Sequence, residues 1–378
     1  MNCKRSSSSS AAAIIGGNDD LLLEILQFLP TKSLIRFQLV SKQFQYLISD
    51  SSFRQLHTLR LRHRPKPQPS FILRSATSQF FYCHPTVKKL TPFRFQHANM
   101  KIVQSCNGLL LLEDKDSGNT PKDHYIYNPV TMQSRKLVIG DEEMKYFAGV
   151  SLVFDPSKSP HYKVVCLRKG RYFGLNEYMV VKVYDSETHT WKHYGKDHIT
   201  DKQFWNDIYL DNEIYFIKPS LKTFCLYVRD DDMWENLRRS YSFTCSVGVD
   251  KHHIIESNGS IYGVDVLFRE SGNSFSVLGL LNDGCWYIMC NATYNHCGSA
   301  FCILGTIIRG KKEGDSILLF HVPGKIMVYR FYEEVFEVLD KEVFEVLVDF
   351  TSENYYEEGK LQFNFKDAHQ FIETLAPV

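Results

Sequence analysis

The spacing of apolar residues changes character once along the chain. Between Asp19 and His57 apolar residues recur at helical intervals, whereas beyond Ser70 short β-branched and aromatic runs alternate with Gly, Pro, Asn and Asp. Helical spacing returns only in the last dozen residues. The pattern predicts an α plus all-β chain, in which a small helical module precedes about 300 residues of antiparallel strands.

The segments on either side of the helical module are predicted to be irregular. Residues 1–18 combine serine and alanine runs with a Gly pair, which cannot bury enough apolar surface to offset the entropy lost on ordering. Residues 58–70 carry basic side chains and three alternating prolines, which favour an extended linker. The predicted division is a disordered tail over 1–18, the module over 19–57, the linker over 58–70 and a β domain over 71–378.

Three short helices are predicted in the module. The pair Asp19–Asp20 can cap the first helix, and Pro30 ends it after Leu29. Thr31 can cap the second helix and Ser41 the third. The first helix is apolar almost all round, and such a helix needs cover on every side.

The module carries more apolar side chains than it can bury by itself. A unit of about 40 residues is near the lower limit of what folds alone, and each large apolar side chain is worth roughly 1.5 to 3 kcal/mol when removed from water. The apolar side chains that the module cannot bury must pack against either a partner chain or the β domain of the same chain. The proline-rich linker favours the partner, because it tends to hold the two parts apart.

The charge balance disfavours nucleic-acid and membrane partners. The chain has 44 Lys+Arg against 43 Asp+Glu, a net charge of +1, so it lacks a general attraction to phosphate or anionic lipid. No segment reaches the ~18 to 20 continuous apolar residues of a membrane span, and the N-terminus lacks the apolar core of a signal peptide. We expect a protein of the cytoplasm, the nucleus or both. The basic run from Arg60 to Lys66 fits a solvated linker or a nuclear address.

Recurrent turns suggest how the β domain is built. An aromatic residue, a polar reversal and a return strand occur at Tyr127–Thr131, Tyr184–Trp191 and Tyr227–Trp234, roughly 40 to 60 residues apart, which is the period of four-stranded propeller blades. A β-propeller-like domain also solves the problem of exposed strand edges. A sandwich or two stacked sheets stay open as alternatives. The pair Asn107–Gly108 predicts positive φ angles at a hairpin turn.

The sequence carries no recognised catalytic or cofactor motif. It contains no phosphate-binding loop, dinucleotide fingerprint, His-Glu-x-x-His zinc motif or Gly-x-Ser-x-Gly elbow. One cluster contains four cysteines and a histidine, but its spacing does not match zinc modules, and its flanks favour strands. Its members are Cys285, Cys290, His296, Cys297 and Cys302. We therefore predict no catalytic residue, no metal and no cofactor.

The helical module resembles a plant F-box. The resemblance consists of a leucine-rich helix followed, in order, by Leu29-Pro30, Lys32-Ser33-Leu34, Arg36-Phe37, Val40-Ser41-Lys42, Phe44, Leu47-Ile48, Phe53 and His57. The sequence departs from the family at three points: Asn18 and Asp19 replace a leading Leu-Pro, Leu39 replaces a common Cys, and Phe44 replaces a common Trp.

The resemblance implies that the module binds a Skp-family adaptor, and through it the cullin and RING subunits of a ubiquitin ligase. By position in the motif, the implied adaptor-binding residues are Leu22, Ile25, Leu29, Pro30, Leu34, Val40, Lys42 and Phe44. A helix-turn-helix DNA reader is the competing interpretation of three short helices, but the third helix carries Lys42 as its single basic residue.

The β region resembles the plant F-box-associated domain. The matching segments are 105–112, 126–131, 153–156, 162–165, 181–185 with Trp191, and 207–216, and Phe371–Leu375 is similar to the family's final short helix. The resemblance implies a kelch-like β-propeller that recruits an unknown protein for ubiquitination, so the chain would be a non-catalytic substrate receptor of an SCF-type ligase. The alternatives are a propeller scaffold or lectin-like module padded by the helices, and a propeller hydrolase with its site in the central channel.

Overall fold

The fold was analysed in a computed structural model. It describes residues 15–63, 70–95, 99–115, 123–138, 147–156, 158–171, 177–197, 206–210, 213–217, 222–227, 240–242, 249–257, 260–270, 272–280, 286–294, 301–307, 316–331, 343–349 and 362–378.

Four helices follow one another in the described N-terminal part: α1 Asp19–Leu26, α2 Thr31–Phe37, α3 Lys42–Ser49 and α4 Ser51–His63. The side chain of Asn18, rather than an Asp, caps α1 by accepting from the backbone N–H groups of Asp20 and Leu21 at 3.0 and 3.2 Å. The predicted Thr31 cap is wrong, because Pro30 occupies the N-cap position of α2 and no side chain caps this helix. Ser41 caps α3 as predicted, since its Oγ accepts from the Phe44 N–H at 3.1 Å.

The predicted count of three helices is not confirmed, because α4 forms a fourth. Asp50 starts this helix by accepting from the Phe53 N–H at 3.0 Å, and Phe53 is buried in the core of the module. Residues 58–63, which were expected to belong to the linker, continue α4 to His63. Residues 64–69 lie outside the described part, and the domain boundaries stay predictions.

The described residues from 70 onward form six antiparallel sheets of four strands each. The first consists of β1 Ser70–Ser75, β2 Phe80–Cys83, β3 Leu90–Phe93 and β24 Phe363–Phe371. The second and third consist of β4 Met100–Cys106, β5 Leu109–Asp114, β6 His124–Asn128 and β7 Gln133–Leu137, and of β8 Phe147–Val153, β9 Lys163–Arg171, β10 Glu177–Asp185 and β11 Thr190–Asp197.

The fourth sheet consists of β12 Asn206–Leu210, β13 Glu213–Ile217, β14 Lys222–Tyr227 and β15 Ser240–Ser242. The fifth consists of β16 Lys251–Ser257, β17 Ser260–Arg269, β18 Gly272–Leu280 and β19 Trp286–Tyr294. The sixth consists of β20 Cys302–Ile307, β21 Ser316–Val322, β22 Lys325–Phe331 and β23 Val343–Asp349.

The edge strands of the sheets meet in a closed circuit. Strand β4 lies against β8, β8 against β12, β12 against β16, β16 against β20, β20 against β24, and β24 against β4. The last strand closes the circuit by pairing with the first, with Ser70 opposite Phe371 and Leu73 opposite Ala368. The first sheet is therefore built from both ends of the β domain.

The core lies mainly between neighbouring sheets. Phe71 of the first sheet packs with Leu319 of the sixth, and Leu111 of the second packs with Leu152 of the third. An aromatic cluster centred on Phe275 joins the fifth and sixth sheets. Strands covered on both faces explain the continuous apolar runs in the sequence.

The predicted turns are confirmed where the structure describes them. Asn107 and Gly108 have φ angles of 46° and 92° between β4 and β5, and the Tyr127–Thr131 and Tyr184–Trp191 segments reverse the chain between paired strands. The third turn, beyond Tyr227, lies outside the described residues.

The predicted helix at the C-terminus is wrong. Phe371 ends strand β24, and residues 372–378 follow without regular secondary structure. The tail's backbone carbonyls accept hydrogen bonds from a distant side chain rather than from a helix. The Asn128 side-chain amide donates to the carbonyls of Thr374 and Ala376 at 3.2 and 2.7 Å. Of the helices that the structure describes, none combines the length and apolar character needed to cross a bilayer.

Candidate functional site

The helical module exposes apolar side chains along one side of α1. Leu21, Ile25 and Phe28 follow at intervals of four and three residues, which places them on one helical face and its C-terminal continuation. Ile25 is 49% exposed and Phe28 is 57% exposed. The Arg60 guanidinium lies 4.6 Å from the centre of the Phe28 ring, so one edge of this group adjoins a cation on α4.

Further apolar side chains are exposed in the segment between α2 and α3 and within α3. Leu39 is 88% exposed and Tyr46 is 75% exposed, and Val40 between them in sequence is also largely exposed. Leu39 and Val40 occupy the turn before the Ser41 cap, where their backbone N–H groups bond to Arg36 and Phe37 carbonyls. We call the six residues of the two groups the outer surface: Leu21, Ile25, Phe28, Leu39, Val40 and Tyr46.

Local contacts hold the elements that carry the outer surface. The Gln43 side chain donates to Asp19 Oδ1 at 2.7 Å and to the Gly16 carbonyl at 3.1 Å, which ties α3 to the start of α1. The rings of Phe37 and Phe44 pack 5.6 Å apart and join α2 to α3. These contacts therefore fix the positions of the helices that carry the exposed residues.

The implied adaptor-binding residues fall into three groups by burial. Ile25, Pro30, Val40 and Lys42 are exposed, Leu29 and Phe44 are partly buried, and Leu22 and Leu34 are buried. Leu22 and Leu34 pack with Leu26, Leu47 and Ile48. Their side chains hold the helices together in the core of the module, and their assignment to the adaptor-binding surface stays a prediction.

Four residues of the outer surface were missed by the sequence analysis: Leu21, Phe28, Leu39 and Tyr46. The signal for the first two was present, because Leu21 and Phe28 flank Ile25 at helical spacing on the same side of the helix. For Leu39 the signal was the position itself, since a large apolar residue in the four-residue segment 38–41 between two short helices has little to pack against.

The module also contacts the C-terminal tail, residues 372–378. Leu375 is fully buried among the module's core side chains. The Thr58 and Thr374 hydroxyls lie 3.4 Å apart, and Lys32 Nζ lies 2.5 Å from a Glu373 carboxylate oxygen. The expectation that the linker holds the two parts apart is therefore wrong.

Burial and charge shape the environment around this contact. Lys32 also lies 4.9 Å from the centre of the Tyr82 ring, and burial, with the Glu373 charge adding to it, raises the pKa of Tyr82. Burial lowers the pKa of His84, an effect that Glu373 opposes and Lys32 reinforces. A cation, a carboxylate and two aromatic rings thus meet at the edge of the contact.

The thiols of the β domain have the character of core groups. Burial raises the pKa of Cys83 and of Cys290 to about 12, which keeps both in the unreactive thiol form near neutral pH. The described residues contain no group of His, Cys, Asp and Glu side chains that could hold a metal. Cys285, His296 and Cys297 lie outside the described part, so the cluster as a whole stays untested.

Two matches to domain families cover the two parts of the chain. Residues 18–56 match the F-box domain, and residues 74–239 match the F-box associated beta propeller domain.

Similar proteins include two from Arabidopsis thaliana. The chain is 26% identical to F-box protein At5g07610 over 94% of this chain and 91% of that protein. It is 32% identical to the F-box protein sequence At5g50220 over 39% of this chain and 36% of that sequence.

Among solved structures, the Aleuria aurantia lectin is 11% identical, with a TM-score of 0.36 over 76% of this chain and 98% of the lectin. A TM-score this low supports no functional argument. The two domain matches occur in the order that the helices and sheets predict, and the first relative spans nearly the whole chain. The chain therefore contains an F-box domain followed by an F-box-associated domain, and it is similar to an Arabidopsis F-box protein over nearly its whole length.

Proposed function

We propose that this chain is the substrate-recognition subunit of an SCF-type cullin-RING ubiquitin ligase. The helical module binds a Skp-family adaptor through the outer surface, and the β domain captures a target protein. The observation that carries the proposal is the exposure of six large apolar side chains on a module whose core is already completed by Leu375 of the C-terminal tail.

The competing explanation, that the helices only pad the β domain, does not account for these side chains. The contact with the tail buries Leu375 and Leu34, yet Leu39 stays 88% exposed and Tyr46 75% exposed. Removing a side chain of this size from water is worth roughly 1.5 to 3 kcal/mol. Monomeric proteins rarely leave several such groups uncovered on a small unit, which favours a partner.

We also propose that the six sheets are the blades of a β-propeller. The closed circuit of edge strands and the pairing of β24 with β1 support this architecture. Pairing the last strand with the first sheet joins the two ends of the domain and closes the ring. The inner edge strand of the first sheet is therefore not left unpaired. The remaining loops would then be available to bind a target.

In this function the chain itself performs no chemistry. The separate RING and ubiquitin-conjugating subunits would supply catalysis, and this chain would act by raising the effective concentration of its target near them. The near-neutral charge offers no general affinity for nucleic acid or membrane. Such a role fits the cytoplasm, the nucleus or both.

The test is co-purification of the full chain with a Skp-type adaptor. The double variant Ile25→Asp and Val40→Asp places charges in the outer surface without touching the buried core, and we expect adaptor capture to fall at least tenfold. Gln45→Asp is the matched control, since it adds a charge at an exposed polar position of α3. Full capture by the double variant would refute the assigned surface, and no capture by the natural chain would refute the function.

A further inference from the structure

The C-terminal tail is buried although it has no regular secondary structure. Thr374, Leu375 and Ala376 are all at most 3% exposed. Two different parts of the protein contact this segment.

On one side the tail packs against the helical module. Leu375 fills the module's core beside Leu34 and Phe53. The Thr31 hydroxyl donates to the Glu373 carbonyl at 3.5 Å, and the Thr58 hydroxyl meets that of Thr374 at 3.4 Å. These contacts involve α2 and α4, so the tail reaches the module at more than one helix.

On the other side the tail contacts the second sheet. The Asn128 amide, which is fully buried, donates to the carbonyls of Thr374 and Ala376. A side chain at Gly108 would lie 2.4 Å from the Ile372 carbonyl oxygen, so the β4–β5 turn approaches the tail backbone closely. Ala376 joins the apolar cluster between the second and third sheets.

We propose that residues 372–376 form a clamp that fixes the helical module on the β domain. Leu375 packs into the module, whereas the carbonyls of Thr374 and Ala376, on either side of it, accept from the Asn128 amide. The tail therefore couples the two parts directly. The consequence for the ligase, which rests on the proposed function, is that the clamp sets the direction in which a captured target is presented.

The experiment is hydrogen exchange on the full chain, comparing Leu375→Asp with the natural protein. Burying a carboxylate in the module's core would expel the tail, and we expect amide exchange in α2 and α4 to accelerate at least tenfold while β17, β18 and β21 keep their protection. Ile372→Asp is the matched control, because it adds the same charge in the same segment at a position that is 41% exposed. Unchanged exchange in α2 and α4 of Leu375→Asp would overturn the clamp.

A milder variant keeps the test decisive if the aspartate unfolds the whole chain. Leu375→Ala removes the contact without burying a charge, and the clamp requires exchange to rise more in the helices than in the fifth and sixth sheets. An equal rise in both would overturn it, since the tail would then belong to one common fold. Adaptor capture is measured separately: Leu375→Asp retains the outer surface, so loss of the clamp and failure of the proposed function give different results.

Discussion

At the scale of single residues, the positions that the sequence marks as turn formers have a second role. Asn128 forms a local turn, because its Oδ1 accepts from the N–H groups of Val130 and Thr131 at 2.9 and 3.3 Å. Its amide nitrogen holds the tail nearly 250 positions away. The turn was predictable from Asn and Pro in sequence, whereas the distant bonds were not, since nothing local encodes their partner.

Asn128→Ala should destabilise the protein by about 2 to 4 kcal/mol, because it leaves two buried carbonyls and two turn N–H groups without this partner. The measurement is the free energy of unfolding in urea. Ser134→Ala, at an exposed position of the following strand, should stay within about 0.5 kcal/mol of the natural chain. Equal stability of the two variants would show that the Asn128 bonds contribute little.

Gly108→Ala should cost at least about 2 kcal/mol, because an alanine disfavours a φ of 92° and its methyl group would strike the tail. Gly16→Ala is the control glycine, since a side chain there meets nothing within 4 Å. The measurement is the melting temperature of each variant and of the natural chain in thermal unfolding. A melting temperature for Gly108→Ala that matches that of Gly16→Ala would contradict the close approach.

His253 should make the protein less stable in mild acid. Burial lowers its pKa to about 4, with His252 and Lys251 adding to the effect and Asp265 opposing it. Between the ordinary histidine pKa near 6.5 and this value, the unfolded chain binds a proton that the folded chain does not. Stability should therefore be full above about pH 6.5 and fall towards pH 4, by at most about 1.4 kcal/mol per pH unit from this group.

The check is the pH dependence of urea unfolding between pH 7.5 and 4. His253→Asn should flatten the fall, whereas His161→Gln, at an exposed position of the same domain, should leave it unchanged. A His253→Asn chain that loses stability with acid as steeply as the natural one would assign the effect to other groups.

At the scale of elements, the helix-start signals in the sequence were only partly correct, since Pro30 rather than Thr31 occupies the N-cap position of α2. Ser41 caps α3 as the sequence predicts, and Asn18 caps α1 from the position just before the expected Asp pair. The fourth helix was not predicted, because residues 58–63 at its C-terminal end were assigned to the linker. The expected C-terminal helix was wrong because tertiary partners, Asn128 and the module's core, outweigh a helical pattern of only a few residues.

Ser41→Ala should weaken the module by about 1 kcal/mol, since the Phe44 N–H loses its cap. We expect faster hydrogen exchange in the first turn of α3, where the cap acts, with little change in the sheets. Ser52→Ala, at an exposed position in α4, is the control. Identical exchange of α3 in both variants would mean that packing of Phe44 alone fixes the helix start.

At the scale of the whole molecule, composition and strand spacing predicted a helical module followed by four-stranded units, and the structure has both. The sequence could not show that the two parts touch, since the contact is made by residues 372–376 and the turns at 107–108 and 128–131, which are far apart in sequence. It also could not separate the module's core from its surface, because Leu22 and Ile25 look alike in a helix that is apolar almost all round.

The circuit of six sheets depends on its last strand. Strand β24 pairs with β1 and contacts both β20 and β4, and it covers an edge whose residues Phe71, Ile72 and Leu73 are fully buried. Ending the chain at residue 362 should therefore open the circuit, expose this edge and abolish cooperative unfolding.

A chain that ends at Phe371 separates this effect from the clamp, because it keeps β24 and loses only the tail. We expect it to retain a cooperative thermal transition in far-ultraviolet circular dichroism and to elute as a monomer, whereas the shorter chain aggregates. The reasoning is that residues 363–371 form the strand pairing and inter-sheet packing, while the tail contributes contacts to the helical module and to one end of the second sheet. If both truncated chains melted alike, the circuit would not need β24 to close, and the sheets would have to be held by the inter-sheet clusters alone.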